Sequence, residues 1–377
     1  MTDRTEMAVA AVRGCAYRQE RNPDRGGNAL LTLEAAQKEF ETVGIYANTA
    51  SIGLPARRTV EALAEAIEIW RSGRAEAAAY DEVIERARRQ FAALVGVTPD
   101  RVAIGNQVSP FSGLVATALP NDAHVLAAEE DFTSMLFPFL AHADRGVRIE
   151  TVPLDRLVEA IRPGVTLVAV SAVQSADGRL VPGGFDALRA AAAAHDCLTY
   201  VDASQAVGWL PFDAGAFDFV SCATYKWLLS PRGTAFGVVR PERLAMLRPL
   251  NANWYAGEDP WTSIYGPPLR LSTSARRFDI SPAWLAWVGT VPALELLTEV
   301  GIDAIHRHDL GLANALRARL GLPSGDSAIV TTRAEHALER LRAAGVRASV
   351  RAGGVRLSFH LHNTHADVDV VARALGA

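Results

Sequence analysis

Lysine is almost missing from this chain. Of its 38 basic residues 36 are arginine, and only Lys38 and Lys226 are lysine. Cysteine is nearly as scarce. Cys15, Cys197 and Cys222 lie too far apart for zinc-ligand spacing or a disulfide framework, a usage that suits a reducing, cytoplasmic setting. No run reaches 18 apolar residues without a charge and the N-terminus lacks a secretory apolar core, so no membrane span is expected. An excess of positive charge is also absent: a formal net charge of −4 argues against nucleic acid or an anionic membrane as the partner. Internal repeats and low-complexity tracts are lacking, apart from a general richness in alanine. What is present is a globular composition, at a length of 377 residues that exceeds one usual domain.

The stretch Tyr200–Gly233, YVDASQAVGWLPFDAGAFDFVSCATYKWLLSPRG, holds the unusual lysine. A primary amine can lose its proton and form a Schiff base, whereas a guanidinium cannot. Tyr225, Trp227, Leu228 and Leu229 flank Lys226, which is wrong for a surface charge. Asp202 ends an apolar run 24 residues earlier. An aspartate at a neighbouring strand end is the electronic partner expected for the ring nitrogen of pyridoxal phosphate (PLP).

Taken in order, residues 1–29 end in the breaker-rich NPDRGGN and read as an arm. Helices are expected over 31–41, 55–72 and 80–95, the second with Pro55 near its first position. A strand over 101–104 leads to a helix that Ser109 would cap, with Pro110 its first residue. Free N–H groups at such a start form an anion site, so a phosphate is expected at Gln107, Val108 and Ser109. Further strands are expected over 124–132, 166–173, 197–204, 217–224 and 233–240, with helices over 154–161 and 185–195. Apolar runs alternating with helices predict α/β architecture, a mainly parallel sheet covered on both faces. Ligands collect at the carboxyl ends of such strands, and Gln107, Phe132, Gln174, Asp202 and Lys226 all fall just beyond them.

From Asn251 to Trp284 the chain is rich in aromatics, glycine and proline without a period, the character of a functional loop, and Trp254 is expected to line a substrate wall. Helices over 283–299 and 305–320 and an alternating tail predict a small α+β domain. The expected division is an arm or part of the small domain over 1–45, a large PLP-binding domain over 46–260 and a small C-terminal domain over 261–377. His360 and His362 share a strand face, but no third ligand has metal spacing, so packing or substrate-lining roles are expected and no metal.

VDASQAVGWLPFD with DFVSCATYKW and PRG, then RRFDISPAW, then VRLSFHLHNTHADVD stand in the order of the class V aminotransferases, which the chain resembles over about residues 44–376. The resemblance implies a fold-type I PLP-dependent transferase fold, with a mainly parallel seven-stranded sheet, and a homodimer with the site at the subunit interface. It implies that Lys226 carries the cofactor and moves the substrate α-proton. Asp202 would face the pyridine nitrogen, Gln205 the phenolic oxygen, and Phe132 the ring face, with Gln174 also at the cofactor. Gln107, Val108, Ser109 and Tyr225 would hold the phosphate, and Ser281 would reach the phosphate of the other subunit. Arg356 would bind the substrate α-carboxylate in a pocket that Asn48 and Ser175 help to line.

The departures from the family pattern are Ala223 where serine is usual, Ser175 where asparagine is common, and His362 where tyrosine stands. Residues 323–356 contain no cysteine, so the persulfide-forming nucleophile of the desulfurases is missing. A small-molecule amino-acid substrate is expected, with β-elimination of the C–S lyase type leading and transamination, epimerisation and kynureninase-like hydrolysis as alternatives. From another class, a non-catalytic protein of the same fold is the alternative. The retention of Lys226, Asp202 and Arg356 together weighs against it.

Overall fold

The computed structural model describes residues 31–377; the arm expected over 1–29, including Cys15, lies outside the described residues. The first part holds α1 (Leu33–Gln37), β1 (Ile45–Tyr46), α2 (Arg57–Arg71) and α3 (Ala79–Leu94). Then come β2 (Val102–Gly105), α4 (Val108–Ala118), β3 (His124–Ala128), α5 (Thr133–Leu140), β4 (Arg148–Val152), β5 (Leu167–Ser171), α6 (Gly184–Ala194), β6 (Leu198–Asp202), β7 (Phe219–Ala223) and β8 (Ala235–Val239). The remainder is α7 (Trp284–Val300), α8 (Ile302–Arg319), β9 (Ile329–Thr332), α9 (Ala337–Ala343), β10 (Val346–Arg347), β11 (Ser349–Arg351), β12 (Gly354–Ser358) and α10 (His365–Leu375).

Seven strands form one sheet in the order β2-β8-β7-β6-β5-β3-β4. All neighbours are parallel except β8, which runs against both β2 and β7. The inner strands β3, β5, β7 and β8 are buried at every position because helices cover both faces, and polar residues within them such as Ser171 and Ser221 are hydrogen-bonded. Edge strand β4 alternates charge with apolar residues and is partly exposed. The α/β, fold-type I organisation expected from the sequence is the one observed.

Several local expectations shift. The segment expected as a helix over 154–161 is only a single helical turn, Leu154–Arg156. Helix α4 starts at Val108 with Gln107 as its cap, so Ser109 and Pro110 sit inside the first turn rather than at the cap and the first position. Pro55 likewise precedes the cap, Ala56, of α2.

Helix α7 is apolar all round and packs along α2 and α3. It turns by 83° into α8 at Gly301, whose φ of 85° suits a residue without a Cβ. No single helix among the described residues is long and apolar enough to cross a membrane. Separately from the large sheet, β11, β12 and β9 form an antiparallel sheet with its own core. Strand β1 pairs in parallel with β10 of that body. We keep the domain limits at 45/46 and 260/261 as a proposal. The contacts that bear on it are the β1–β10 pairing and the packing of α7 on α2 and α3.

Candidate active site

Lys226 lies in the connection between β7 and β8, where three successive carbonyls are each held. The Gly53 N–H donates to Tyr225 O (2.8 Å), the Leu229 N–H to Lys226 O (3.1 Å), and His360 Nε2 to Trp227 O (3.0 Å). Neighbouring backbone comes so close that a Cβ on Gly53 would lie 2.1 Å from Lys226 O, and one on Gly208 2.3 Å from Trp227 O. Leu229 completes the turn at φ 56°, a strained conformation for a leucine. The indole of Trp227 is fully buried and donates to Gln205 Oε1 (2.7 Å). The lysine is thus fixed from its backbone outwards.

Its side chain is buried, and its ammonium has no hydrogen-bond or ion-pair partner among the described residues. Nζ lies 5.6 Å from the centre of the Phe132 ring and 5.7 Å from that of Tyr225. Burial pushes its pKa down to about 8, against the opposing field of Asp202 and with help from Arg356. Asp202 ends β6. Its Oδ1 accepts from the Ser204 N–H (2.9 Å) and O–H (2.6 Å), while Oδ2 accepts from no described residue. The Ser204 hydroxyl oxygen also accepts from the Ala223 N–H (2.8 Å), which ties the carboxylate to the end of β7. Burial raises the pKa of Asp202 and the Lys226 charge opposes that rise.

Asp131, buried after β3, organises the next strand end. It accepts from the Ser171 N–H (2.8 Å), the Ser171 hydroxyl, the Phe132 N–H (2.7 Å) and Gln174 Nε2 (3.3 Å). Phe132 and Gln174 are thereby placed together, and Gln174 Oε1 is buried without a partner. Gln205 Nε2 donates to Ala50 O (3.0 Å) and Ser175 Oγ (3.3 Å). No side chain caps the start of α4, so the N–H groups around Gln107, Val108 and Ser109 are left for an anion. The guanidinium of Arg232 lies 5.1 Å from the Tyr225 ring centre.

Arg356 sits in β12 and is 1% exposed. Its Nη1 donates to the Ser175 carbonyl and hydroxyl, and its Nη2 to Ser51 Oγ (2.8 Å). Nε is buried without a partner, and no carboxylate pairs with the group among the described residues. Nε is thus left unsatisfied beside the bonded Nη2, on a guanidinium whose fork geometry fits a carboxylate. Burial, with the Arg351 charge beside it, pushes its pKa down to about 10. Asn48 bridges to Ser358 on the same strand, and its Oδ1 is also buried and unpaired.

Most residues singled out in the sequence converge here. Two do not join the cluster within one chain. Trp254 packs its ring against Tyr255 (5.2 Å) and Trp261 (5.3 Å) instead. Ser281 is exposed beside β2, where the adjacent Ile280 N–H donates to Ile104 O (3.4 Å). Cys197, just before β6, and Cys222, within β7, are both buried; burial raises the first thiol to about 11 and the second well above its usual range. Sequence reading missed Ser51, Ser204 and Asp131. For Ser204 a clue was present, because an Asp-x-Ser at a strand end is a turn in which the aspartate is bonded locally.

A buried unpaired amine, a carboxylate with a free oxygen one strand away, an aromatic face and an uncapped helix start fit PLP. The comparisons agree. A family model described as Aminotransferase class-V matches residues 63–339. The chain is 29% identical over 322 residues to an uncharacterized aminotransferase, YcbU, of Bacillus subtilis (strain 168), covering 78% of this chain and 85% of that protein. It is 28% identical over 344 residues to isopenicillin N epimerase of Streptomyces clavuligerus, covering 78% and 83%. Among solved structures, a complex of the cystine C-S lyase C-DES superposes with a TM-score of 0.79 at 18% identity, covering 88% of this chain and 97% of that one. The cysteine desulfurase CsdA of Escherichia coli gives 0.77 at 18% identity, covering 91% and 97%. The chain belongs to the aminotransferase class-V family, and it is an enzyme whose cofactor is pyridoxal phosphate.

Proposed function

We propose that the enzyme catalyses β-elimination from a cysteine-derived amino acid without a cysteine nucleophile. The observation that carries this reading is the pairing of a buried, counter-ion-free Arg356 with a buried, unpaired Lys226, while both described cysteines are buried with raised thiol pKa values. When bound, PLP withdraws electrons from the substrate Cα. Arg356 holds the α-carboxylate and so turns the Cα–H bond towards Lys226. The Lys226 amine takes that proton, the Cβ–S bond breaks, and the sulfur leaves with the bonding pair and is protonated. Water completes the products as thiol, pyruvate and ammonia. Asp202, fixed by Ser204, keeps a negative charge opposite the ring nitrogen.

The groups whose charge bears most on Lys226 are Asp202, Arg356, Cys222 and Arg351. Transamination is the second reading, supported by the 29% identity to a protein named as an aminotransferase. Epimerisation is a further reading, supported by the 28% identity to a protein named as an isopenicillin N epimerase. Exposed Ser281 beside the phosphate-binding end supports a homodimer, and the cysteine usage supports a cytoplasmic setting.

The test is a panel of S-substituted cysteines and other L-amino acids with the PLP-loaded enzyme, with its mass in solution measured alongside. Pyruvate and thiol released without an amino acceptor are expected. Turnover only when a keto acid is supplied would replace elimination by transamination, and full activity in a monomer would remove the shared site.

A further inference from the structure

Strands β11 and β12 are joined by a two-residue hairpin in which Ala352 (φ 46°) and Gly353 (φ 75°) both take left-handed conformations. The register sets Ser349 directly opposite Arg356 and Arg351 opposite Gly354. Side chains two apart share a face, so Ser349, Arg351 and Arg356 all project to the same side. They meet at one atom. Ser51 Oγ accepts from Arg356 Nη2 (2.8 Å) and Arg351 Nη2 (3.4 Å) and lies 3.3 Å from Ser349 Oγ.

Arg351 donates otherwise only to Val350 O (2.8 Å), and no carboxylate pairs with it among the described residues. Two guanidiniums thus meet at one hydroxyl, and neither pairs with a carboxylate among the described residues. The field of Arg351 is felt at both Arg356 and Lys226. One α-carboxylate on Arg356 leaves Arg351 still without a carboxylate partner among the described residues.

We propose that Arg351 is a specificity-determining residue that binds a second carboxylate, at the end of the substrate side chain, so that the enzyme takes dicarboxylic amino acids. This rests on the reading that Arg356 takes the α-carboxylate. Two guanidiniums converging on one hydroxyl suit a dicarboxylic amino acid of short span. For β-elimination the second acid is carried by the departing thiol, as in S-carboxymethylcysteine, one atom longer than glutamate.

The test uses ligands that lack an α-proton and are not turned over. Titration calorimetry of the PLP-loaded enzyme compares 2-methylaspartate and 2-methylglutamate with 2-aminoisobutyrate, which has no second carboxylate. At least one dicarboxylate is expected to bind about tenfold tighter. Arg351→Gln brings it down to the level of 2-aminoisobutyrate, and Arg351→Lys restores part of the difference. Arg351 is exposed on a hairpin, so the variants are expected to keep the cofactor absorbance and melting temperature of the parent. Equal affinities in the parent, or a preference that survives Arg351→Gln, overturn the proposal. If Arg356→Met leaves 2-aminoisobutyrate binding intact, or no ligand binds the parent, the α-carboxylate reading beneath it falls, and this one with it.

Discussion

Burial holds the Lys226 amine at about 8, more than two units below the 10.5 of a free lysine. Only the neutral amine attacks a carbonyl, so capture of PLP by the apoenzyme should quicken as pH rises through about 8 and then level off. Below that point the neutral fraction falls tenfold per pH unit. Asp202 favours the charged ammonium, so Asp202→Asn should move the midpoint lower, whatever it does to the amplitude. Stopped-flow absorbance against pH measures both, and a parent midpoint near 10.5 would show that burial does not govern the amine. Lys226 was legible in the sequence because its type is so rare and its flanks are apolar. Ser51 was not, because its role depends on Arg356 and Arg351, about 300 residues away, reaching one hydroxyl.

Elements differ in how plainly the sequence declares them. The inner strands read directly, since burial on both faces makes each a mostly apolar run. Strand β4 was missed because RIETV mixes charges with apolar residues, as an edge allows. Helix α5, TSMLFPFL, has no polar face and carries Pro138 within it, so no helical period stands out. The cap of α4 was misplaced by two residues because Ser109 and Pro110 are good capping types, yet extended Gln107 takes that position. The β11–β12 hairpin gives a prediction at this scale. Ala352 is held left-handed, where its Cβ is crowded, so Ala352→Gly should stabilise the fold by about 0.5–1 kcal/mol. A lower midpoint in urea would contradict that conformation.

At the scale of the molecule, one buried pair ties the C-terminal body to the lysine segment. Asp309 on α8 and His360 after β12 are both 0% exposed, with Oδ2 and Nδ1 2.7 Å apart. The far nitrogen of the ring donates to Trp227 O. Losing one partner strands a buried polar group, so Asp309→Leu should cost about 3–5 kcal/mol, and His360→Phe with Asp309→Leu should cost less than the single change. His360→Phe should also speed PLP release, because the Trp227 carbonyl loses its donor. Unfolding midpoints and cofactor release rates check these outcomes, and a double variant weaker than Asp309→Leu would count against a coupled pair. The parallel sheet and the C-terminal body were foreseen from the order of runs. The bond between them was not, since it joins residues from three separate stretches.

The antiparallel strand β8 has a consequence for how the protein is made. Edge strand β2 has β8 as its one neighbour, pairing Val102 with Val238, so the uncapped helix start that follows it cannot be anchored through the sheet until β8 has left the ribosome. Lys226 emerges just ahead of β8, and Arg356 more than a hundred residues later. Pairings across such long separations form slowly. In a growing chain the lysine and the helix start are therefore in place before Arg356, and the His360 donor that steadies Trp227 O arrives after both.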